Sequence, residues 1–222
     1  MSIMPSRSYR ELIKLAYKKT THRRGWAESF NLFCCRNLER NYKKWEVIGT
    51  EKACLEIGGG KFPHILHNLS GNWKKVTVDV SSEDVRDEGR LLKVTGNASS
   101  LPFSNTTFDR IVAIHSLEHI LNLDQTCHEF SRVLKTGGIL SVILPCDPGF
   151  LWSIAQLFSR RQVGMSRKEY DYFLANQHVN PVYNVLAILN FHYVQKHLDY
   201  YPLTILPFRH LNFTIVGHWQ KP

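Results

Sequence analysis

Cysteine is scarce in this chain, and its spacing argues against two common stabilising devices. Five cysteines occur among 222 residues, an odd number, and no Cys-x-x-Cys pair is present. They are Cys34, Cys35, Cys54, Cys127 and Cys146. This pattern indicates neither a disulfide framework nor a zinc site, so we expect reduced thiols and no bound metal.

Long apolar runs and internal repeats are absent too. The longest uninterrupted apolar runs, such as 185–189, are far too short to span a bilayer, and the amino terminus lacks the apolar segment of a signal peptide. We therefore expect a soluble, cytoplasmic protein. With 43% hydrophobic residues, a chain of this length can bury one full core.

The most informative segment, Cys54–Lys61, is a short apolar run that ends in three glycines. It predicts a buried strand and then a turn, Gly58–Gly60, in which bare backbone approaches a ligand. Val76–Val80 predicts a second buried strand, with Asp79 at the position where nucleotide-binding α/β folds hold a ribose diol. The two strand ends therefore point to one nucleoside-like ligand.

Two ligands suit this arrangement, a dinucleotide such as NAD, or S-adenosylmethionine. The absence of one glycine distinguishes between them. The dinucleotide fingerprint requires a third glycine, and Pro63 occupies its place. Glu56 would repel a pyrophosphate, whereas it can organise the glycine turn and a ligand ammonium. The pattern favours S-adenosylmethionine, and the glycine triplet taken alone also fits an ordinary strand-to-helix turn.

Further motifs follow in an ordered succession. Gly-Asn-Ala at 96–98 precedes Leu-Pro-Phe at 101–103, and the buried strand predicted over Phe108–Ile114 leads directly into His115–Ile120. A helix is predicted over 124–134, ended by a glycine C-cap at 137–138, before an apolar strand at 139–144. From about 50 to 150, this order resembles the class I S-adenosylmethionine-dependent methyltransferases, in their type 11-like group of small-molecule methyltransferases.

The resemblance implies an α/β fold of the Rossmann-like, doubly wound kind, with a mostly parallel seven-stranded sheet and helices on both faces. The last strand, expected over 211–217, would run antiparallel near the sheet edge. A basic helical extension would occupy 1–48 and the methyltransferase domain 49–222. A helical lid would be inserted after the fifth strand, at about 147–200.

By position, the resemblance also implies S-adenosylmethionine as cofactor and S-adenosylhomocysteine as its product. The first strand end and the glycine turn would surround the methionine moiety. The second strand end would contact the ribose and one face of the adenine, and the segment after Gly96 would contact the adenine edge. The implied cofactor set is Glu56, Gly58, Gly59, Gly60, Asp79, Val80, Asn97, Ala98 and His115.

Methyl transfer to a hydroxyl benefits from a group that accepts the hydroxyl proton, and histidine suits neutral pH. His119 and His115 are the first candidates, and His178, in a polar link between two predicted helices, is the third. Glu118 would orient a histidine or bind the acceptor. The expected function is methyl transfer to a small or lipid-linked acceptor, at oxygen.

Two other functions stay open. An RNA or protein methyltransferase would need an open, charged cleft that admits a polymer. A non-catalytic protein that only binds S-adenosylmethionine is the other alternative, because Phe62 stands where the family often has a further glycine.

Two strings match motifs of other enzymes. His115–His119 matches the H-x-x-E-H pattern of a class of zinc peptidases, which requires a helix where a strand end is expected. Asn180–Tyr183 resembles the Asn-Pro-Pro-Tyr box of nucleobase and amide methyltransferases, but it lies some 65 residues beyond the fourth strand. We interpret Asn180 as a helix N-cap and Pro181 as the first helical residue.

Positive charge is concentrated in residues 1–50, which carry 11 Lys or Arg and 4 Asp or Glu, a surplus of 7 out of the net +9. The pattern predicts an amphipathic basic helix from about Leu12 to Arg24, followed by a helix over 27–42. We expect these helices to cap the cofactor pocket. A nucleic-acid partner is disfavoured, and peripheral contact with an anionic membrane is the other alternative.

Overall fold

The computed structural model describes residues 7–20, 26–45, 52–60, 63–69, 71–80 and 91–222. Phe62, the arginine pair at 23–24 and the expected boundary at 48–49 lie outside these residues. In the described part of the chain, seven strands form one sheet. Their bounds are β1 Lys52–Ile57, β2 Trp73–Asp79, β3 Leu92–Thr95, β4 Phe108–Ile114, β5 Leu134–Pro145, β6 Val194–Tyr201 and β7 Thr214–Gln220.

The strand order identifies a doubly wound sheet. It is β3-β2-β1-β4-β5-β7-β6, with parallel pairing from β3 through β5. Strand β7 pairs antiparallel with both β5 and β6. The predicted Rossmann-like, mostly parallel sheet with an antiparallel last strand is confirmed.

Seven α-helices accompany the sheet in the described ranges, and short 3-10 turns occur at Lys43–Trp45, Leu117–His119 and Arg209–Leu211. The helices are α1 Tyr9–Thr20, α2 Trp26–Tyr42, α3 His64–Asn68, α4 Leu123–Val133, α5 Phe150–Val163, α6 Arg167–Gln177 and α7 Val182–His192. None of them is long and apolar enough to cross a membrane.

Alternate residues of the central strands face two hydrophobic layers. On β4, Ile111 and Ala113 pack in the layer that includes residues of α4 and α7, whereas Val112 packs in the layer that includes residues of α2 and α3. This alternation follows from the two-residue period of a strand. Both faces of the sheet are therefore covered, which is why the parallel strands are almost continuously apolar.

The predicted glycine C-cap of α4 is wrong. The helix ends at Val133, and Leu134 is already extended, with φ −70° and ψ 140°. Gly137, at φ +75°, lies within β5 where the register with β4 skips between Phe108 and Arg110. Leu134 is fully buried, so packing of its side chain draws the chain into the sheet before the glycines are reached.

The last strand begins three residues later than predicted, at Thr214. The preceding residues form a turn that is held by Asn212, a fully buried side chain. Its Nδ2 donates to the carbonyls of Leu206 and Phe208 at 2.8 and 3.0 Å, and its Oδ1 accepts from the Leu203 N–H at 2.7 Å. These bonds replace the ladder hydrogen bonds that a longer strand would make.

The expected extension and lid contain several elements. Helix α2 packs on β5 and β7, and α1 packs on α5 and α6, where Leu12 and Ala16 meet Val163 and Met165. Helices α5, α6 and α7 occupy most of 147–200, and the last of these residues belong to β6. Helix α2 therefore shares the core of the sheet, whereas α1 packs in a separate cluster with α5 and α6.

A charged side chain lies in the middle of the sheet. Arg110 on β4 is fully buried and donates two hydrogen bonds to the Glu39 carboxylate on α2, at 2.7 and 3.1 Å. Its Nε donates to Ser141 Oγ at 2.9 Å, and its guanidinium carbon lies 3.8 Å from the centroid of the Tyr42 ring. His64 Nε2, on α3, lies 2.8 Å from Glu39 Oε1. Because a buried charge requires a partner, this cluster holds α2 and α3 on the sheet.

Glu39→Gln leaves the buried Arg110 cation without its counter-charge, so we expect the free energy of unfolding at pH 7 to fall by about 3–5 kcal/mol. Burial alone would raise the pKa of Glu39, but Arg110 outweighs burial and lowers it from 4.5 to about 2. The unfolded chain therefore binds this proton more readily, and the stabilisation is complete above the unfolded pKa and is lost as pH falls towards 2. Urea unfolding at pH 7, 4 and 3 measures the difference.

Glu28→Gln is the matched control, because Glu28 is an exposed carboxylate on the same helix. Its unfolding free energy should stay within about 0.5 kcal/mol of the wild type. A Glu39→Gln protein as stable as the wild type at pH 7, or one whose deficit persists unchanged at pH 3, would contradict the role assigned to the pair.

Candidate active site

The carboxyl ends of β1 and β4 meet at the topological switch point of the sheet, where α/β folds bind ligands. At the end of β1, Gly58 and Gly60 adopt φ of +71° and +53°. The Gly58 N–H donates to the Val78 carbonyl at 2.8 Å, and the Gly60 N–H donates to Asp79 Oδ2 at 3.0 Å. The glycine turn is therefore tied to the end of β2.

Close packing requires glycine on one side of this turn, whereas the other side is open. A Cβ on Gly58 would lie 2.9 Å from Ser116 Cβ, and a Cβ on Gly59 would lie 2.5 Å from Thr77 Oγ1. At Gly60, nothing in the described part of the chain lies within 4 Å of the corresponding position. The bare backbone beside Asp79 thus faces space that a nucleoside ligand can occupy.

Glu56 organises the turn from below. Its side chain is buried, and its two carboxylate oxygens accept the N–H groups of His64 and Ile65 at 2.9 and 3.0 Å. Burial raises the pKa of Glu56, and these hydrogen bonds oppose the shift. The carboxylate secures the start of α3, as expected for an organising residue, while its contact with a ligand ammonium stays a prediction.

The other predicted cofactor residues lie at the ends of β2 and β3. Val80, directly after β2, is 79% exposed, and the Gly96 N–H donates to the Asp79 carbonyl at 3.0 Å. Asn97 is exposed, its Oδ1 accepts from the N–H and Oγ of Ser99, and Ala98 beside it is buried. One edge of the sheet therefore carries the whole set, and the residues fit S-adenosylmethionine.

A second space opens beyond β4 and β5, a cavity of about 340 Å³. It brings together all three histidines that the sequence suggests as proton acceptors. Its lining consists of Trp26, Ala27, Phe30, Asn31, His115, Glu118, His119, Pro145, Trp152, Ala155, Ser159, His178, Phe213 and Thr214. Half of these fourteen residues are apolar or aromatic, and the other half are polar, among them the three histidines and Glu118.

His178 is paired with a carboxylate that sequence reasoning missed. Its Nδ1 lies 2.7 Å from Asp147 Oδ2, and both side chains are 17% exposed. A carboxylate accepts hydrogen bonds, so Nδ1 donates and Nε2 is left as the acceptor. The sequence signal for Asp147 was its position just after β5, the strand next to β4 in the sheet.

His119 is held in the same tautomer by a backbone carbonyl. Its Nδ1 donates to the Gln177 oxygen at 2.6 Å, and its ring lies 5.1 Å from that of His178 in an edge-to-face arrangement. Desolvation lowers the pKa of His119. With Nδ1 donating, Nε2 is left as the acceptor atom, and the rings of His119 and His178 lie side by side in the cavity.

His115 occupies the junction between the two spaces. It adopts φ +49°, unusual for a residue other than glycine, while its N–H donates to the Ile143 carbonyl at 2.9 Å. Its Nε2 lies 3.3 Å from Asn31 Oδ1, and desolvation followed by the neighbouring histidines lowers its pKa. Ser116, next in the chain, packs beneath Gly58. The cofactor edge and the cavity are thus adjacent.

Glu118 lies in the cavity wall between two of the histidines. It is 3% exposed, and Oε1 lies 3.8 Å from both His115 Nδ1 and His119 Nε2. Its Oε2 is buried without a hydrogen-bond partner among the described residues. Burial raises the pKa of Glu118 to about 7, so this carboxyl gains or loses a proton near neutral pH.

Asn180 does not cap α7 as predicted. Pro181 is the N-cap residue, and the Asn180 side chain instead donates to the carbonyls of Leu117 and Ile120 at 3.0 and 2.6 Å. Its N–H donates to the Glu118 carbonyl at 3.1 Å. These carbonyls belong to the 3-10 turn Leu117–His119 and to Ile120, which follows it, so Asn180 fixes the turn that presents Glu118 and His119.

The H-x-x-E-H string is not helical throughout, because His115 has positive φ and only Leu117–His119 form a 3-10 turn. In the described ranges, three possible metal ligands lie close together outside this string, with their ligand atoms within 4.8 Å of one another. They are Asp124, His128 and His192.

Comparison with known proteins gives a domain match and several partial relatives. A family profile described as a methyltransferase domain matches residues 55–142. The chain is 32% identical over 117 residues to the methyltransferase GfsG of Streptomyces halstedii, covering 48% of this chain and 42% of that protein. It is 30% identical over 136 residues to the ubiquinone/menaquinone biosynthesis C-methyltransferase UbiE of Haemophilus ducreyi, covering 56% and 49%. The chain thus spans about half the length of these curated relatives.

The fold agrees with this result. The PH0226 protein of Pyrococcus horikoshii superposes with a TM-score of 0.64 at 16% identity, covering 90% of this chain and 93% of that structure. The glycine turn, Asp79 and the histidines after β4 occupy the strand ends that the resemblance predicted for them. Together these observations assign residues 55–142 to a methyltransferase domain, in the Rossmann-like fold that the resemblance to class I S-adenosylmethionine-dependent methyltransferases predicted.

Proposed function

We propose that the chain transfers a methyl group from S-adenosylmethionine to an oxygen of a small or lipid-linked acceptor. The observation that carries the proposal is the adjacency of two spaces at the sheet edge. One is bounded by Gly60 and Asp79, and the other is the cavity in which three histidines converge. His115 and Ser116 lie between them.

The cofactor supplies an electrophilic methyl group on a sulfonium when it is bound. Gly60 offers its bare backbone, and Asp79 offers a carboxylate suited to the ribose hydroxyls. Val80 provides apolar surface for the adenine, and Asn97 lies at its edge. These roles follow from the place of each residue on the strand ends.

The cavity supports a proton acceptor for the incoming hydroxyl. His178 has the stronger claim, because Asp147 orients its ring and stabilises the imidazolium that forms when Nε2 takes the proton. His119, 5.1 Å from His178 between ring centroids, is positioned to pass the proton on. This order differs from the sequence-based ranking, in which His119 and His115 came first, because the Asp147 partner is created by the fold.

The size and lining of the cavity favour a small acceptor. A volume of about 340 Å³ lies within the range of about 300–1,000 Å³ that is common for small-molecule sites. Trp26, Phe30 and Trp152 supply apolar walls for a ring or chain. An RNA or protein acceptor would need an open, charged groove, so these alternatives receive less support.

Methylation of a ring carbon is the second candidate, since the relative UbiE is named a C-methyltransferase. A phenol that loses its proton becomes electron-rich at the neighbouring ring carbons, so the same histidines would serve both reactions.

Methyl-labelled cofactor, incubated with the protein and a detergent-dispersed lipid extract, tests the function, and NMR of the labelled product distinguishes an O-methyl from a C-methyl group. Labelled cofactor that is bound but never turned over would favour the non-catalytic alternative.

Asp79→Asn removes the charge opposite the ribose while keeping an acceptor for the Gly60 N–H. We expect the Kd for S-adenosylmethionine to rise about tenfold or more, because hydrogen bonds to a charged group are the stronger ones. Isothermal titration calorimetry measures it. Asp171→Asn, an exposed carboxylate on α6, is the control, and equal affinities of the two variants would contradict the assignment.

His178→Gln removes the proposed proton acceptor, so we expect kcat to fall about 100-fold or more with the Kd for S-adenosylmethionine unchanged. Asp147→Asn should also lower kcat, because the carboxylate that orients the His178 ring is replaced by a neutral amide. The readout is methyl transfer into the labelled product.

Control variants make this test specific. His210→Gln, in an exposed turn, should retain wild-type turnover. A loss of turnover in His119→Gln with full activity in His178→Gln would contradict the choice of His178. Wild-type turnover in Asp147→Asn would reduce that residue to a structural contact.

A further inference from the structure

Helix α5 is apolar on two opposite faces. Trp152, Ala155 and Ser159, which share one face at helical spacing, line the cavity. On the opposite face, Phe150, Leu157 and Phe158 are 63%, 56% and 59% exposed. A helix with apolar residues on both sides normally has a partner on both, and in the described part of the chain the outer face has none.

The loop between β6 and β7 extends the same surface. Ile205 and Phe208 are 87% and 60% exposed, and Leu203, Leu206 and Leu211 are also exposed. The loop adjoins the start of α5, since a Cβ on Gly149 would lie 2.6 Å from the Arg209 carbonyl oxygen. We name the outer face of α5 together with residues 202–211 the α5 surface.

Positive charge predominates around the α5 surface, although Glu11 on α1 is exposed and Asp171 on α6 lies 3.6 Å from Arg167. Residues 148–168 contain Arg160, Arg161, Arg167 and Lys168 but no Asp or Glu, and residues 200–222 contain Arg209 and Lys221 but no Asp or Glu. Helix α1, which packs against α5, exposes further basic residues such as Arg10 and Lys14. Exposed apolar side chains flanked by cations match the boundary of an anionic bilayer, where rings and aliphatic chains enter the acyl region and cations meet the headgroups.

We propose that the α5 surface docks on an anionic lipid bilayer. Because the inner face of the same helix lines the cavity, docking places the acceptor site directly beneath the membrane contact. A lipid-linked acceptor would then reach the cavity around α5 without crossing water. This last step rests on the proposed function, whereas docking does not.

Co-sedimentation with vesicles tests the docking. We expect the protein to bind vesicles of phosphatidylcholine with one quarter phosphatidylglycerol, to bind pure phosphatidylcholine at least about tenfold more weakly, and to dissociate at high salt. Leu157→Ser combined with Phe158→Ser should weaken binding to the anionic vesicles about tenfold or more. Arg160→Gln combined with Arg161→Gln should do the same.

Phe191→Ser is the matched control, because Phe191 is 84% exposed on α7, away from the α5 surface, and this variant should bind as the wild type. Equal binding by the Leu157/Phe158 variant and the wild type would overturn the proposal. A dimer in analytical ultracentrifugation that this variant abolishes would also overturn it, and would assign the surface to a second copy of the chain. Since neither residue lines the cavity, turnover of detergent-dispersed acceptor should be unchanged, so failure of docking is distinguished from failure of the proposed function.

A separate observation carries a second proposal, a transition-metal site between α4 and α7. His192 Nε2 lies 2.8 Å from Asp124 Oδ1, and His128 Nε2 lies 3.8 Å from Asp124 Oδ2. Asp124 and His128 are four residues apart on one helix, and the rings of His128 and His192 lie 4.7 Å apart. Two imidazoles and a carboxylate are ligands that Zn²⁺ accepts with water in the fourth position, so we infer that this group binds Zn²⁺ and links the two helices.

Calorimetric titration with ZnCl₂ tests the site. We expect His128→Gln to weaken one Zn²⁺ site at least about tenfold, since metal affinity falls when a donor is lost. His210→Gln, an exposed histidine in a turn, is the control and should leave that site unchanged. Identical Zn²⁺ isotherms for the wild type and His128→Gln would overturn the assignment.

Discussion

The ion pair between Glu39 and Arg110 is the constraint on which the site depends. Arg110 lies in the centre of the sheet, where an unpaired cation is costly. Helix α2 must therefore pack on the sheet in the position that brings Glu39 against Arg110. The same carboxylate contacts the ring of His64, whose own N–H is bound by Glu56 at the end of β1. One chain of charged groups thus connects the core to the glycine turn, and it also places the first turns of α2 over the cavity.

The carboxyl edge of the sheet divides into two halves with different chemistry. The ends of β1, β2 and β3 present bare backbone and a carboxylate, which suit a nucleoside. The ends of β4 and β5 present His115, Glu118 and His119 to the cavity and place Asp147 against His178. Parallel strands bring all these ends to one edge, so only the short segment at His115 and Ser116 separates the two halves.

Corrections to the sequence-based predictions share a cause. Asn180 was expected to cap a helix, yet it binds carbonyls more than 50 residues earlier in the chain. Gly137 was expected to end α4, yet burial of Leu134 starts the strand before it. In each case local propensity predicted a capping role for the residue, and a contact with residues distant in the sequence or burial of a neighbour determined its actual conformation and partners.

The sequence by itself determined the sheet class, the conformation expected of the glycine turn and the histidine candidates, because strand periodicity, glycine spacing and motif order act over a few residues. Only the tertiary structure decided that Asp147 meets His178, that Glu39 lies against Arg110, and that α5 has an uncovered apolar outer face. These facts arise from side chains separated by 31 to 71 positions or from the packing of whole elements. No local pattern specifies such pairings, because they are selected by burial and charge compensation in the complete fold.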